Sequence, residues 1–221
     1  MSSWFTTLKE VFSSEWWQNT VVGLIVAESK GATVIPSSKL SDICKPLFDC
    51  RPEDVRVVIL GERPYTDRHY SFFSNRHQPI ATGRAFATHL SSSPLAWPSL
   101  LHKINNTLIE DTGKGIPNGS LDGWVAQGVM LLNTQIVVAH QLEWTPLIKA
   151  VMEHLNSLDR PIIFVGWGLE QQKVIRQYIN NKKHVVVKEP MPSRWTKAQK
   201  PFTHINTALV AAGMKPIHWS K

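Results

Sequence analysis

Four short apolar runs, residues 56–60, 129–133, 161–167 and 184–188, alternate along the chain with segments of helical period, and that alternation leaves few ways to fold. Three of the runs are rich in β-branched residues, the run 129–133 is Val-Met-Leu-Leu-Asn, and all are bounded by turn formers, the pattern of strands buried on both faces. Helical spacing marks residues 4–27, with a break around Asn19, then 39–48, 97–109 with Pro98 in the first turn, 145–158, 171–180 and 202–212. Right-handed crossovers between such strands build an α/β protein, a three-layer α/β/α sandwich with a central four-stranded, mainly parallel sheet. Parallel strands deliver their carboxyl ends to one rim, where open α/β sheets bind ligands. Residues 61–66, 133–134, 166–169 and 189–196 are expected to gather there.

The first run carries the most information. Val57-Val58-Ile59-Leu60 stops at Gly61 and opens into Glu62-Arg63-Pro64-Tyr65-Thr66, a polar loop stiffened by proline. A chain of 221 residues suits a single domain over 1–221, with residues 1–34 as an N-terminal helical extension. The formal net charge of +7 points to a polyanionic partner, because unopposed Lys and Arg supply both affinity for phosphates and steering toward them. Cys44 and Cys50 match neither a zinc nor a redox spacing, so a reduced chain without metal or cofactor is expected. The opening Ser2-Ser3-Trp4-Phe5 has no basic region before an apolar core, and residues 21–27 are too few to span a bilayer. A monomer in the cytoplasm, or in the nucleus of a eukaryotic or virus-infected host, is the expectation, with no membrane association.

Five segments stand in the order in which uracil-DNA glycosylases carry their counterparts. They are Ile35-Pro36, residues 54–61, Trp97-Pro98-Ser99-Leu100-Leu101, residues 127–134 ending in Leu131-Leu132-Asn133-Thr134, and Pro216-Ile217-His218-Trp219. The chain resembles that superfamily from about Ile35 to Trp219, and closest of all its monofunctional members, whose first motif is Gly-Gln-Asp-Pro-Tyr-His. The resemblance implies the glycosylase fold, DNA as partner, single- or double-stranded, and a base turned out of the helix. Asn133 matches the family's uracil-reading Asn; its carboxamide addresses the N3–H and O4 edge of uracil, or, turned over, the N3 and N4 edge of cytosine. A turn-forming Asn at a strand end is the alternative. Phe86 resembles the Phe that stacks beneath the extruded base, a contact worth about 1–3 kcal/mol, with plain core as the alternative. Tyr65 matches the Tyr that crowds pyrimidine C5.

The chemistry departs from the family at two positions. Arg63 stands where the family has its catalytic Asp, and Met191 where a His donates a hydrogen bond to the departing base. A cation about 4 Å from a developing sugar cation costs roughly 4 kcal/mol at an effective dielectric near 20, where an anion would gain as much. Losing the donor costs about 2.7–4 kcal/mol more. Glu62 keeps catalysis open, since other branches of the superfamily use a Glu at this place; an ion pair with Arg63 or Arg84 is the alternative. Thr66 replaces the motif's last His. Between Tyr65 and Phe86 the chain is longer than in the family and adds Arg68, His69, Tyr70, Phe72, Phe73, Arg76 and His77, either relining the pocket or forming a flap on DNA.

The DNA-facing loops are better kept. Pro98 and Ser99 match the Pro-rich loop that pinches the strand, and Gly168 matches a Gly-Ser loop in which Leu169 replaces Ser. Ser193, Arg194, Trp195 and Lys197 fall in the loop that carries the family's apolar wedge, with Trp195 at the wedge position. Two functions follow. One is a DNA glycosylase that hydrolyses the N-glycosidic bond of uracil or a modified pyrimidine, including a hypermodified base of viral DNA, in repair or antiviral defence. The other is a catalytically inactive homologue that serves as a DNA-binding or protein-interaction module.

Overall fold

A computed structural model describes residues 3–66, 68–71, 76–79, 81–88, 97–138 and 142–221, with 68–71 and 76–79 described for their backbone. Four strands, β1 (Val57–Gly61), β4 (Val129–Asn133), β5 (Ile163–Trp167) and β6 (Val185–Glu189), form one sheet in the order β4-β1-β5-β6. All three pairings are parallel, with Gly61 opposite Asn133 and Trp167 opposite Glu189. Every residue of β1, β4 and β5 is buried, as the unbroken apolar runs require of strands covered on both faces.

Alternate side chains of β1 feed two separate cores, which is the period of two expressed in packing. Val58 and Leu60 pack with helices α3 (Glu15–Ser29), α4 (Leu40–Ile43), α5 (Lys45–Asp49), α8 (Thr145–Ser157) and α9 (Leu169–Tyr178). Val57 and Ile59 face α6 (Ser99–Thr112), α7 (Asp122–Val125) and α10 (Pro201–Ala211). Three layers result, and the carboxyl ends of all four strands share one rim.

The helical segment at the N-terminus breaks earlier than its apolar spacing suggests, into α1 (Ser3–Thr7), α2 (Lys9–Phe12) and α3, and Asn19 lies inside α3. Ser14 is the cause: its hydroxyl accepts a hydrogen bond from Trp17 N–H at 3.2 Å and caps α3. These helices join the core, since Trp4 is fully buried and its indole N–H donates to the Cys50 carbonyl at 2.6 Å. The 39–48 segment splits at Cys44, with Pro46 in the first turn of its second half. Within the stretch read as a polar loop, the backbone forms an antiparallel hairpin, β2 (Arg68–Ser71) and β3 (Arg76–Pro79), pairing Arg68 with Pro79 and Ser71 with Arg76. Cys44 and Cys50 are free and buried, and burial pushes both thiols up to about 12. Among the described residues no helix is long and apolar enough to cross a membrane.

Candidate functional site

A pocket of about 270 Å³ opens at the carboxyl ends of the strands. The loop Gly61–Thr66, Phe86, the start of α6, the β5–α9 junction and the loop after β6 supply its walls. Asn133 does not line this pocket; it stands beside Gly61, which does, as its partner in the β1–β4 pairing. Its side chain comes so close beneath Gly61 that a Cβ there would sit 2.4 Å from Asn133 Oδ1 and 2.8 Å from Ala85 Cβ. The glycine that ends β1 is therefore demanded by the approach of this carboxamide. Asn133 is 1% exposed, and among the described residues neither its Oδ1 nor its Nδ2 has a hydrogen-bond partner. Leaving such a group unsatisfied costs about 1–3 kcal/mol. The simple turn role is not what the structure shows; no backbone group takes up the amide.

Tyr65 and Phe86 are locked to each other. The Tyr65 hydroxyl donates to the Phe86 carbonyl at 3.2 Å, which fixes the ring as a wall. Phe86 adopts φ +63°, a left-handed conformation that costs a bulky L-residue about 1–2 kcal/mol. That backbone turns its ring against Trp167, with centroids 5.2 Å apart and planes at 53°. Phe86 is thus part of the pocket and also borders the core of the α6 face.

The charged residues divide sharply. Arg84 is committed to structure, bridging Asp49 on α5 and Asp122 on α7. Glu62 and Arg63 are exposed, line the pocket, and have no ion pair among the described residues, so neither the Glu62–Arg63 nor the Glu62–Arg84 pairing forms. The main chain at Glu62 is nonetheless anchored, its carbonyl accepting from Gln135 N–H at 2.8 Å and from the Thr134 hydroxyl at 3.1 Å. Met191, 39% exposed, brings a thioether to the opposite wall. Among the described residues no group of three or more His, Cys, Asp or Glu stands where it could hold a metal ion.

Trp195 is not placed as a wedge. It is 3% exposed, its indole N–H donates to the Pro190 carbonyl at 2.9 Å, and its ring meets the face of Trp167 edge-on with centroids 4.9 Å apart. A large indole with an internal acceptor gains more from the Trp167–Phe202 cluster than from solvent, and the short turn Pro192–Arg194 swings it inward. Ser193, Arg194 and Lys197 stay exposed around it. Pro98 is buried ahead of α6 and Ser99 is exposed at its first position, while Gly168 is buried with φ +118°.

Two pocket residues escaped the reading of the sequence. Trp167 ends β5 and lines the cavity, and Gln171, 6% exposed, reaches it from the first turn of α9. Trp167 had a signal, since it closes a strand at the ligand rim, but an aromatic in an apolar run reads as core. The side chains of Arg68, His69, Tyr70, Phe72, Phe73, Arg76 and His77 lie outside the described residues.

No family model matches the chain. Uracil-DNA glycosylase of Bacillus licheniformis is 32% identical over 232 residues, covering 99% of this chain and 95% of that protein. Uracil-DNA glycosylase of Bacillus subtilis is 32% identical over 231 residues, with 98% and 95% covered. This chain belongs to the uracil-DNA glycosylase family. The crystal structure of the mimivirus uracil-DNA glycosylase has the same fold, with a TM-score of 0.81 at 23% identity over 99% of this chain and 86% of that one. A mimivirus UNG variant in complex with UGI superimposes with a TM-score of 0.84 at 23% identity, covering 100% and 89%. Membership sharpens what Arg63 and Met191 mean: both of this chain's departures line the pocket itself.

Proposed function

We propose that this protein binds DNA as a monomeric single domain, takes a flipped pyrimidine into the pocket, and hydrolyses its N-glycosidic bond with Glu62 as the working carboxylate. The observation that carries this reading is the 1% exposed carboxamide of Asn133, without a hydrogen-bond partner among the described residues and packed against Gly61 of a pocket in which Glu62 is the one carboxylate among the described lining residues. A pyrimidine edge supplies the donor and acceptor that the amide lacks. Phe86 and Tyr65 then bound the ring. In the reaction, water adds to C1′ as the C1′–N1 bond breaks; its electron pair leaves with the base, which takes a proton from solvent. The water's own proton passes to Glu62. The carboxylate also opposes the positive charge that grows on the sugar.

Met191 supplies no hydrogen bond to the departing base, so bases that leave more readily than uracil, such as pyrimidines with an electron-withdrawing group at C5 small enough to clear the Tyr65 wall, suit this pocket better. A second reading rests on Arg63: a guanidinium free of carboxylate partners in the described structure and lining the pocket favours phosphate over a sugar cation, as a silent DNA reader would need. Duplex and single-stranded oligonucleotides carrying uracil, a mismatched thymine or 5-modified cytosines, incubated with the protein and heated in alkali, separate the two. Strand breaks lost in Glu62→Gln support the glycosylase. Intact strands on every substrate, with binding retained, establish the reader.

A further inference from the structure

With Trp195 folded into the core at 3% exposure, the side chain at the family's wedge position does not reach out toward DNA. Beside the loop of Trp195, on the neighbouring β5–α9 turn, stands Leu169, 71% exposed, the most exposed large apolar side chain among the described residues. A solitary exposed leucine would mean little. Leu169 is not solitary: it shares a groove of about 550 Å³ with the half-exposed Met191, and that groove runs into the pocket through Glu62, Gln171 and Met191.

The tip is held rigidly. Gly168, at φ +118° and ψ 161°, adopts a backbone conformation open to glycine, and a Cβ there would strike Gln171 Oε1 at 2.8 Å. Its N–H donates to the Glu189 carbonyl at 3.0 Å and its carbonyl accepts from Gln172 N–H at 3.1 Å, so Leu169 projects from a turn pinned to β6 and α9 at once. The charge of the groove is also selective. Two of its three acids are engaged elsewhere, Glu170 with Lys173 at 2.8 Å and Glu189 with His204 Nδ1 at 2.5 Å, and the third, Glu62, stands at the end that opens into the pocket. Lys188 and Arg194 line the same groove without an ion pair among the described residues. An apolar tip flanked by uncompensated cations fits a base step between phosphates better than it fits an uncharged surface.

We infer that Leu169, backed by Met191, is the element that enters the stack of duplex DNA and holds the flipped nucleotide out, from the β5–α9 turn beside the loop of Trp195. This rests on the reading of the pocket as the seat of a flipped pyrimidine, but not on hydrolysis there. The probe is a duplex with 2-aminopurine beside a U·G pair whose deoxyuridine is 2′-fluorinated to slow base release; unstacking raises the 2-aminopurine fluorescence. Leu169→Ala is expected to abolish the rise and weaken duplex binding about tenfold, while single-strand binding changes less than about twofold. Because the side chain is exposed, the variant keeps the fold, which circular dichroism checks. Trp195→Phe, which keeps an aromatic ring in the core, is expected to leave the rise intact. A rise that survives Leu169→Ala, or an equal loss on single and double strands, overturns the inference while the pocket reading stands. A rise lost in Trp195→Phe and kept in Leu169→Ala returns the wedge to Trp195. No rise with the parent protein on any such duplex overturns flipping and the inference together.

Discussion

The rim over β1 and β4 and the rim over β5 and β6 face each other across one pocket and are built on opposite principles. On the first, Glu62 and Arg63 lack ion pairs among the described residues and Asn133 keeps an unsatisfied amide at 1% exposure. On the second, several polar groups are consumed internally, Trp195 N–H by Pro190, Glu189 by His204, and the Gln172 amide by the carbonyls of Gly166 and Glu189, while the Trp167 N–H and the exposed Lys188 and Arg194 are left without such partners among the described residues. The first half forgoes stability and keeps recognition groups available. The second spends its residues on packing and leaves apolar tips outside. The departures from the family sit on both, as a charge reversal at Arg63 and as lost donors at Met191 and Leu169.

The strongest way to sharpen this contrast is Arg63→Asp, which puts a carboxylate where the family carries one. If the reacting sugar lies over the first half, uracil release measured by alkaline cleavage rises by about 10³-fold, since replacing a cation by an anion near a growing positive charge is worth several kcal/mol. A change below about tenfold would break the comparison by placing the reacting atoms beyond the reach of residue 63. Trp195→Ala comes next and probes the other half. Loss of a buried indole from the Trp167–Phe202 cluster is expected to cost about 3–5 kcal/mol in denaturant unfolding, with the m-value unchanged. A surface wedge would leave stability almost untouched, so a loss under about 1 kcal/mol contradicts the packed role.

The two halves were not equally legible in the sequence. The first was, because the run from Val57 to Gly61 fixes a strand, its end and the glycine by local chemistry alone, and Asn133 follows a second run of the same kind. Position along the chain was enough there. The second half depends on which way a side chain turns after a short helical turn, and Trp195 is decided by partners at 167, 190 and 202 that no local pattern announces. Ser14 shows the same limit at smaller scale, since a cap outweighed the apolar spacing that suggested a break near Asn19. The hairpin of β2 and β3 was hidden for another reason: its residues are mostly polar and lack the alternation that marks a half-buried strand.

Asn133→Leu turns the comparison into a sign test. The shape is similar and the unsatisfied donor and acceptor are removed, so stability is expected to rise by about 1–2 kcal/mol while discrimination between pyrimidine and purine lesions in binding assays is lost. A fall in stability would show that the amide is satisfied in solution and that the first half forgoes nothing. Unfolding curves in urea and competition binding with the same protein stock read both effects.

The smallest effect concerns what keeps the first half in place. Arg84, two residues before Phe86, ties this segment to α5 through Asp49 and to α7 through Asp122. The hydrogen bond from Arg84 holds the Asp122 carboxyl below its ordinary value of 3.8. A carboxyl depressed in the folded state binds fewer protons there than in the unfolded chain, so its contribution is present above pH 3.8 and is lost as pH falls through the folded value. Asp122 is 73% exposed, so the contribution is small. Arg84→Met is therefore expected to flatten the acid limb of the stability curve below pH 3.8 and leave its shape between pH 5 and 8 nearly unchanged, as followed by thermal unfolding across pH. If Arg84→Met instead leaves the acid limb as steep as in the parent, the Arg84–Asp122 bridge adds nothing to the hold on the Phe86 segment, which then rests on the Tyr65 and Trp167 contacts and on the Ala85 N–H bond to the Leu131 carbonyl at 3.1 Å.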